Sequence, residues 1–167
     1  MRVWFQDESR FGLITENRRR IGIKSLIGNF KYSFKYFWLY GLVEPLSGES
    51  YFWELPHLNS LNFQIFLEKF SDNYPNDNHL IFMDGAGAHT AKKLKVPKNI
   101  ILVKIPAYSP ELNPIERLWQ DIKKHFSWQN FDNLSELSEK LSKVLKLYSK
   151  EVVKSITSYR YIEESFN

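Results

Sequence analysis

Apolar and β-branched residues gather in five short runs, and the intervals between them switch to helical spacing. Arg2 to Gln6 reads as a first strand, and Phe11-Gly12-Leu13-Ile14 as the start of another. Tyr36 to Val43 is aromatic and aliphatic throughout, which fits a strand buried on both faces. Glu44-Pro45-Leu46-Ser47-Gly48 carries turn chemistry, and Ser50 to Leu55 returns beside it. These strands predict an antiparallel meander. Phe63, Phe66, Leu67, Phe70 and Tyr74 then recur at helical spacing behind an Asn59 or Ser60 cap, predicting a helix to about Asn73 whose aromatic stripe is core packing. His79 to Met83 is a fourth strand running into Asp84. Ile100 to Ile105 is a fifth, expected to be fully buried and parallel to the fourth.

The last third of the chain is helical. In Tyr108-Ser109-Pro110-Glu111-Leu112-Asn113-Pro114-Ile115-Glu116-Arg117-Leu118-Trp119, two prolines stiffen a loop that turns into a helix. Asn113 is the expected N-cap, and Pro114 falls at the first helical position, where its missing N–H is harmless. Ile115, Leu118, Trp119 and Ile122 form one packing face, and the helix runs to about His125. Asn133, with Glu136 in the capping-box position, starts a further helix lined by Leu134, Leu137, Leu141, Val144 and Tyr148. Beyond Lys150 the pattern is helical or frayed. Strands followed by alternating strands and helices define an α/β domain with a mixed five-stranded sheet.

Three acids stand at the edges of this pattern. Asp7 follows Val3-Trp4-Phe5-Gln6, and Asp84 follows Leu80-Ile81-Phe82-Met83. Open α/β sheets build their sites where strands end. Glu116 lies in the first turn of its helix; taken alone, it reads as a capping carboxylate reaching back to the Asn113 backbone. Glu8 is expected on the opposite strand face from Asp7, and Asp121 away from the Glu116 face, so both read as structural or solvated.

Tyr-Ser-Pro-Glu-Leu-Asn-Pro-Ile-Glu-Arg-Leu-Trp at 108–119 resembles the third-acid motif of the DDE transposases of the mariner superfamily, especially the bacterial insertion-sequence branch. Asp7-Glu8-Ser9-Arg10-Phe11 resembles the first-acid motif. Met83-Asp84-Gly85-Ala86-Gly87-Ala88-His89 resembles the second, in which many members have Asn where this chain has Gly85. The motifs occur in order over nearly the whole chain. Thirty-two positions separate Asp84 from Glu116, slightly fewer than in many relatives.

The resemblance implies a ribonuclease H-like fold, three antiparallel strands and then two parallel ones flanked by helices. The first and fourth strands are neighbours there, so Asp7 and Asp84 would converge and the next helix would bring in Glu116. It implies a metal-dependent transposase that nicks transposon ends and joins them to target DNA. Asp7, Asp84 and Glu116 would be both catalytic residues and ligands of two Mg²⁺ ions, for which Mn²⁺ can substitute, with Asp7 bridging them. Other readings from the same residues are a ribonuclease H-like nuclease without transposition and a non-catalytic DNA-binding remnant of a decayed element.

Charge sharpens the choice of partner. Residues 8–35 hold seven Lys/Arg against Glu8 and Glu16, and residues 85–110 hold five Lys and no acid. Each basic segment follows an acid motif, the arrangement a polyanion would meet. Arg10, Arg18, Arg19, Arg20, Lys92 and Lys93 are the candidate DNA contacts. His89, otherwise a packing or capping histidine, joins them because relatives carry a His there. The segment 15–35 is expected to be a long basic loop or loose hairpin, and a short helix is expected around Thr90 to Leu94. Gly85-Ala86-Gly87 lacks the spacing of a phosphate-cradling loop.

Length and composition narrow the rest. At 167 residues, 43% hydrophobic and 25% charged, the sequence fits one packed domain. The longest apolar run is too short for a bilayer, no signal-peptide pattern opens the chain, and cysteine is absent. A cytoplasmic, nucleoid-associated bacterial protein is expected, with double-stranded DNA as partner and a homodimer in the DNA complex. Transposases of the resembled family carry an N-terminal helix-turn-helix ahead of the catalytic domain. The first strand here begins at about Arg2, so residues 1–167 are expected to be the catalytic domain alone. End recognition would then fall to a separate or fused N-terminal DNA-binding protein.

Overall fold

The computed structural model describes residues 1–14, 33–84, 94–106 and 112–159, together with 161, 162 and 164. The basic segment 15–32, the 85–93 turn with its expected short helix, and Tyr108 to Glu111 lie outside the described residues.

Among the described residues five strands form one sheet, β1 (Arg2–Gly12), β2 (Tyr36–Glu44), β3 (Glu49–Leu55), β4 (His79–Met83) and β5 (Ile100–Lys104), in the order β3-β2-β1-β4-β5. β1, β2 and β3 are antiparallel, and β4 and β5 run parallel to β1. Among the described residues four helices flank it: α1 (Ser60–Asn73), α2 (Ile115–Lys124), α3 (Leu134–Leu145) and α4 (Lys150–Thr157). No helix among the described residues is long and apolar enough to cross a membrane.

Alternation along the strands sorts the side chains into two cores. Trp4, Tyr40, Leu42, Ile81 and Met83 face α1, whose Phe63, Phe66, Leu67 and Phe70 are fully buried. Val3, Phe5, Phe11, Leu39 and Val43 face the other way and pack with α2, α3 and α4. Full burial of one such side chain stabilises the fold by about 1.5–3 kcal/mol, so these two layers hold it together. Trp4 also keeps its indole N–H satisfied, donating to His79 Nδ1 at 3.1 Å.

Caps follow the sequence closely at two helices. Asn59 accepts from Asn62 N at 2.8 Å, and Asn133 accepts from Glu136 N at 2.9 Å. The Glu136 carboxylate reaches back one residue further than a standard capping box, to Asp132 N at 2.8 Å. The β2–β3 turn depends on Gly48 at φ 76°, which donates its N–H to Glu44 O at 2.8 Å.

Two expectations change. β1 does not stop at Gln6; it continues as one strand to Gly12, because β2 offers a pairing partner for every residue from Phe5 onward. β5 is not fully buried. It is the edge strand, and Ile101 is 58% exposed while Ile100 is buried. An apolar run cannot by itself distinguish a central parallel strand from the last one in the sheet.

Candidate active site

β1 carries Asp7 in its middle, so the acid does not end its own strand. What ends there is β4. The parallel β1–β4 register runs from Arg2↔His79 to Gln6↔Met83, and the next residue along each chain is Asp7 and Asp84. The two acids therefore leave the shared end of the ladder side by side. On its other edge Asp7 pairs with Gly41 of β2.

Glu116 comes from the first turn of α2, which lies across β1 and β2. The start of this helix differs from the sequence expectation. Pro114, not Asn113, is the capping residue, at φ −64° and ψ −21°, with no side-chain cap. Asn113 is buried, and its side-chain amide donates to the backbone carbonyl of Gln6 at 3.0 Å. Its backbone carbonyl still accepts from Glu116 N at 3.1 Å. The side chain is thus spent on tying the helix to β1.

A second tie lies one turn later. Trp119 donates its indole N–H to Asp7 Oδ2 at 2.9 Å. The sequence marks Trp119 only as part of a packing face; its donor role is the functional feature that reading misses. Two signals pointed to it. Indoles seldom bury without a hydrogen-bond partner, and Gly41 interrupts an otherwise bulky strand, a mark of close approach by another element.

The carboxylates sense one another. Asp7 is pushed up from an ordinary 3.8 to about 8, first by burial, then by the negative charges of Glu8 and Glu116; the Trp119 hydrogen bond opposes the rise. Glu116 is raised by burial and by Asp84, against the pull of Lys123. Among the described residues no group of three or more His, Asp or Glu closes into a metal-holding cluster. As donors they supply only hard oxygen, the set that suits Mg²⁺ or Mn²⁺.

The remaining candidates divide. Glu8 lies on the α1 face, where it accepts from Gln6 Nε2 at 3.0 Å and stands opposite Tyr40. Asp121 is held by Lys124 at 2.6 Å and by the Tyr148 hydroxyl at 2.9 Å, a structural role. Arg10 is exposed on β1, its guanidinium 5.4 Å from the Tyr36 ring centre. With Lys35, Tyr36 and Lys123 it lines a groove of about 410 Å³ to which no described acid contributes. Arg18, Arg19, Arg20, His89, Lys92 and Lys93 lie outside the described residues.

This architecture is the ribonuclease H-like fold. It matches the Mos1 transposase in its paired-end complex with the left transposon end at a TM-score of 0.71, with 17% identity, over 93% of this chain and 51% of that one. The Mos1 mariner paired-end complex with Mn matches at 0.72, again at 17% identity and over 93% and 51% of the two chains. The chain thus spans about half the length of these transposases. A simian T-cell lymphotropic virus intasome shares the fold more distantly, at a TM-score of 0.53 and 14% identity, over 93% of this chain and 46% of that one. In sequence, the uncharacterized protein y4pE/y4sA of Sinorhizobium fredii is 34% identical over 90 residues, which are 53% of this chain and 67% of that protein. The sequence family described as DDE superfamily endonuclease matches residues 2–138, with all three acids inside the match, and the chain belongs to that family.

Proposed function

We propose that the chain is the catalytic domain of a DNA transposase, which nicks transposon ends and joins them to target DNA by phosphoryl transfer. The observation that carries this reading is the β1–β4 register, which sets Asp7 beside Asp84 under the helix that bears Glu116. Family membership supports the same reaction class, and all three acids lie within the matched residues 2–138. Mos1, the whole transposase of which this chain matches about half, forms complexes with transposon-end DNA and with Mn or Mg.

Asp7, Asp84 and Glu116 would hold two divalent ions. Their oxygen-only donor set and the upward push on Asp7 and Glu116 both fit a site that favours cations. Bound Mg²⁺ or Mn²⁺ supplies activation of a water or 3′-hydroxyl oxygen and neutralises charge on the scissile phosphate. The protein's own share is positional. Asn113 fixes the start of α2, and Arg10, Lys35 and Lys123 present positive charge to a DNA backbone in the groove beyond.

The test is cleavage of supercoiled plasmid DNA carrying the element's ends, with Mg²⁺, Mn²⁺ or chelator. Metal-dependent nicks at the ends, followed by joined products, are expected. Metal-dependent nicks at no preferred position would replace the transposase with a general nuclease. Absence of any nick in either metal would leave a DNA-binding remnant.

A further inference from the structure

The contact between Trp119 and Asp7 is built from three elements at once. Trp119 lies three residues after Glu116 on α2 and is 3% exposed. Its ring rests on Gly41, where an added Cβ would stand 2.5 and 2.7 Å from two indole carbons and 3.0 Å from Ile115 Cδ1. Gly41 is the β2 partner of Asp7, and on its other side it pairs with Phe52 of β3, whose ring packs on Trp119 at 5.7 Å between centres. Only a residue without a side chain leaves this slot open. The slot lets the indole descend far enough for its N–H to reach Asp7 Oδ2 at 2.9 Å.

Glu116 is therefore bracketed. Asn113, three residues before it, is tied to the carbonyl of Gln6; Trp119, three residues after it, is tied to the carboxylate of Asp7. Both ties end on consecutive residues of β1. The indole holds one Asp7 oxygen, and the Glu8 backbone also donates to this carboxylate, so two partners limit how it can turn toward a ligand.

We propose that Trp119 is a positioning residue, seated by Gly41, which orients the Asp7 carboxylate and sets the helix of Glu116 in register with it. This rests on the reading of Asp7 and Glu116 as metal ligands. A partner that holds a ligand's second oxygen fixes its orientation, and losing such a partner costs about 10–100-fold in metal affinity or activity. A tryptophan serving only to fill space would be replaced by phenylalanine without that loss.

The experiment is Mn²⁺ binding to the 167-residue chain, followed by the paramagnetic resonance signal of free Mn²⁺, with thermal unfolding in parallel. Trp119→Phe keeps an aromatic ring and removes the N–H; Gly41→Ala keeps the N–H and closes the slot. Both are expected to weaken Mn²⁺ binding by about 10–100-fold in chains that still unfold cooperatively. Val144→Ala, a core change on α3, should lower the unfolding temperature and leave Mn²⁺ affinity alone. Folded Trp119→Phe binding Mn²⁺ within about twofold of wild type would overturn the proposal, twofold falling far below the effect of a missing orienting partner.

Asp7→Ala separates this failure from failure of the underlying reading. If Asp7→Ala loses Mn²⁺ binding and Trp119→Phe does not, only the positioning role falls. If Asp7→Ala binds like wild type, or wild type does not bind, the metal-site reading falls and takes the positioning role with it. A readout on unmodified protein covers the case where either variant fails to fold. Among the indole ¹⁵N–¹H signals of the five tryptophans, that of Trp119 should move most on addition of Mg²⁺, and should shift in Asp7→Asn. A Trp119 signal unmoved by saturating Mg²⁺ would count against the proposal as strongly as the Phe result.

Discussion

Asn113 and Gln6, 107 positions apart, are joined by one buried hydrogen bond, from the Asn113 side-chain amide to the Gln6 carbonyl at 3.0 Å. That carbonyl belongs to the residue before Asp7, and Glu116 lies three residues past Asn113. The bond therefore couples the position of one acid to that of another. Asn113→Ala should leave the Gln6 carbonyl without this donor and cost about 1–3 kcal/mol of stability. Asn113→Asp should cost more, because it points an acceptor at an acceptor. Urea unfolding of wild type and the two variants measures both effects. A stability of Asn113→Ala equal to that of wild type would show the bond to be idle.

Burial and neighbouring charge hold the folded Asp7 at about 8 against an ordinary 3.8. Between those values the folded chain keeps a proton that the unfolded chain has lost. Stability must then fall as pH rises through that window. Glu116, raised by burial and Asp84, acts in the same direction. The metal-free chain should melt at a higher temperature near pH 5 than near pH 8, as far as these groups decide it. Asp7→Asn should flatten the slope and raise the melting temperature at pH 8. A slope unchanged by that substitution would show that Asp7 is not the source.

Gly48 occupies the left-handed region at φ 76°, and a Cβ there would lie 1.8 Å from the carbonyl oxygen of Lys150. The turn between β2 and β3 thus presses against the first residue of α4. Gly48→Ala faces both an unfavourable backbone conformation, of order 1–3 kcal/mol, and a collision with rigid backbone. It should destabilise by at least that range in chemical unfolding. A loss under about 0.5 kcal/mol, the size of an ordinary surface change, would contradict the packing described.

Neutralising Arg18, Arg19 and Arg20 together should weaken DNA binding about equally for all sequences. It should also reduce the slope of log affinity against log salt by roughly one for each phosphate no longer neutralised. A triple variant with wild-type salt dependence would remove this segment from the DNA-binding surface.

Much of this was legible in the chain because local patterns and tertiary structure agree. Alternation in β1 separates Trp4 and Glu8 from Phe5 and Asp7, and the stripe Phe63, Phe66, Leu67, Phe70 declares the buried face of α1. The β1–β4 register brings Asp7 and Asp84 together, and their convergence was legible through the motifs around them. Three features were not. Ile101 reads as core but faces solvent at 58%, since nothing in an apolar run says which strand is last. Asn113 reads as a cap, but its side chain prefers a carbonyl 107 positions away, a partner no local window contains. Trp119 reads as packing because hydrophobic spacing is blind to the indole N–H. Each miss turns on where elements meet in the folded sheet, which no local window of sequence contains.

Asp7→Asn, Asp84→Asn and Glu116→Gln change charge while keeping shape, and so test chemistry apart from folding. Losing a partner that merely orients a metal ligand costs about 10–100-fold. Losing the ligand's charge should cost more than about a hundredfold in strand cleavage, by the same comparison. Melting temperatures should hold or rise for Asp7→Asn and Glu116→Gln, because each removes a carboxyl that burial and neighbouring acids raise in the metal-free chain. Groups that act as a unit lose their effect together. Glu116→Gln introduced into Asp7→Asn should therefore lower cleavage little beyond the single substitution. Plasmid-nicking rates for the three single variants and that double decide the matter. A single variant with near wild-type rate in Mg²⁺ removes that residue from the set, and strictly multiplicative losses in the double would mean that Asp7 and Glu116 work at separate sites.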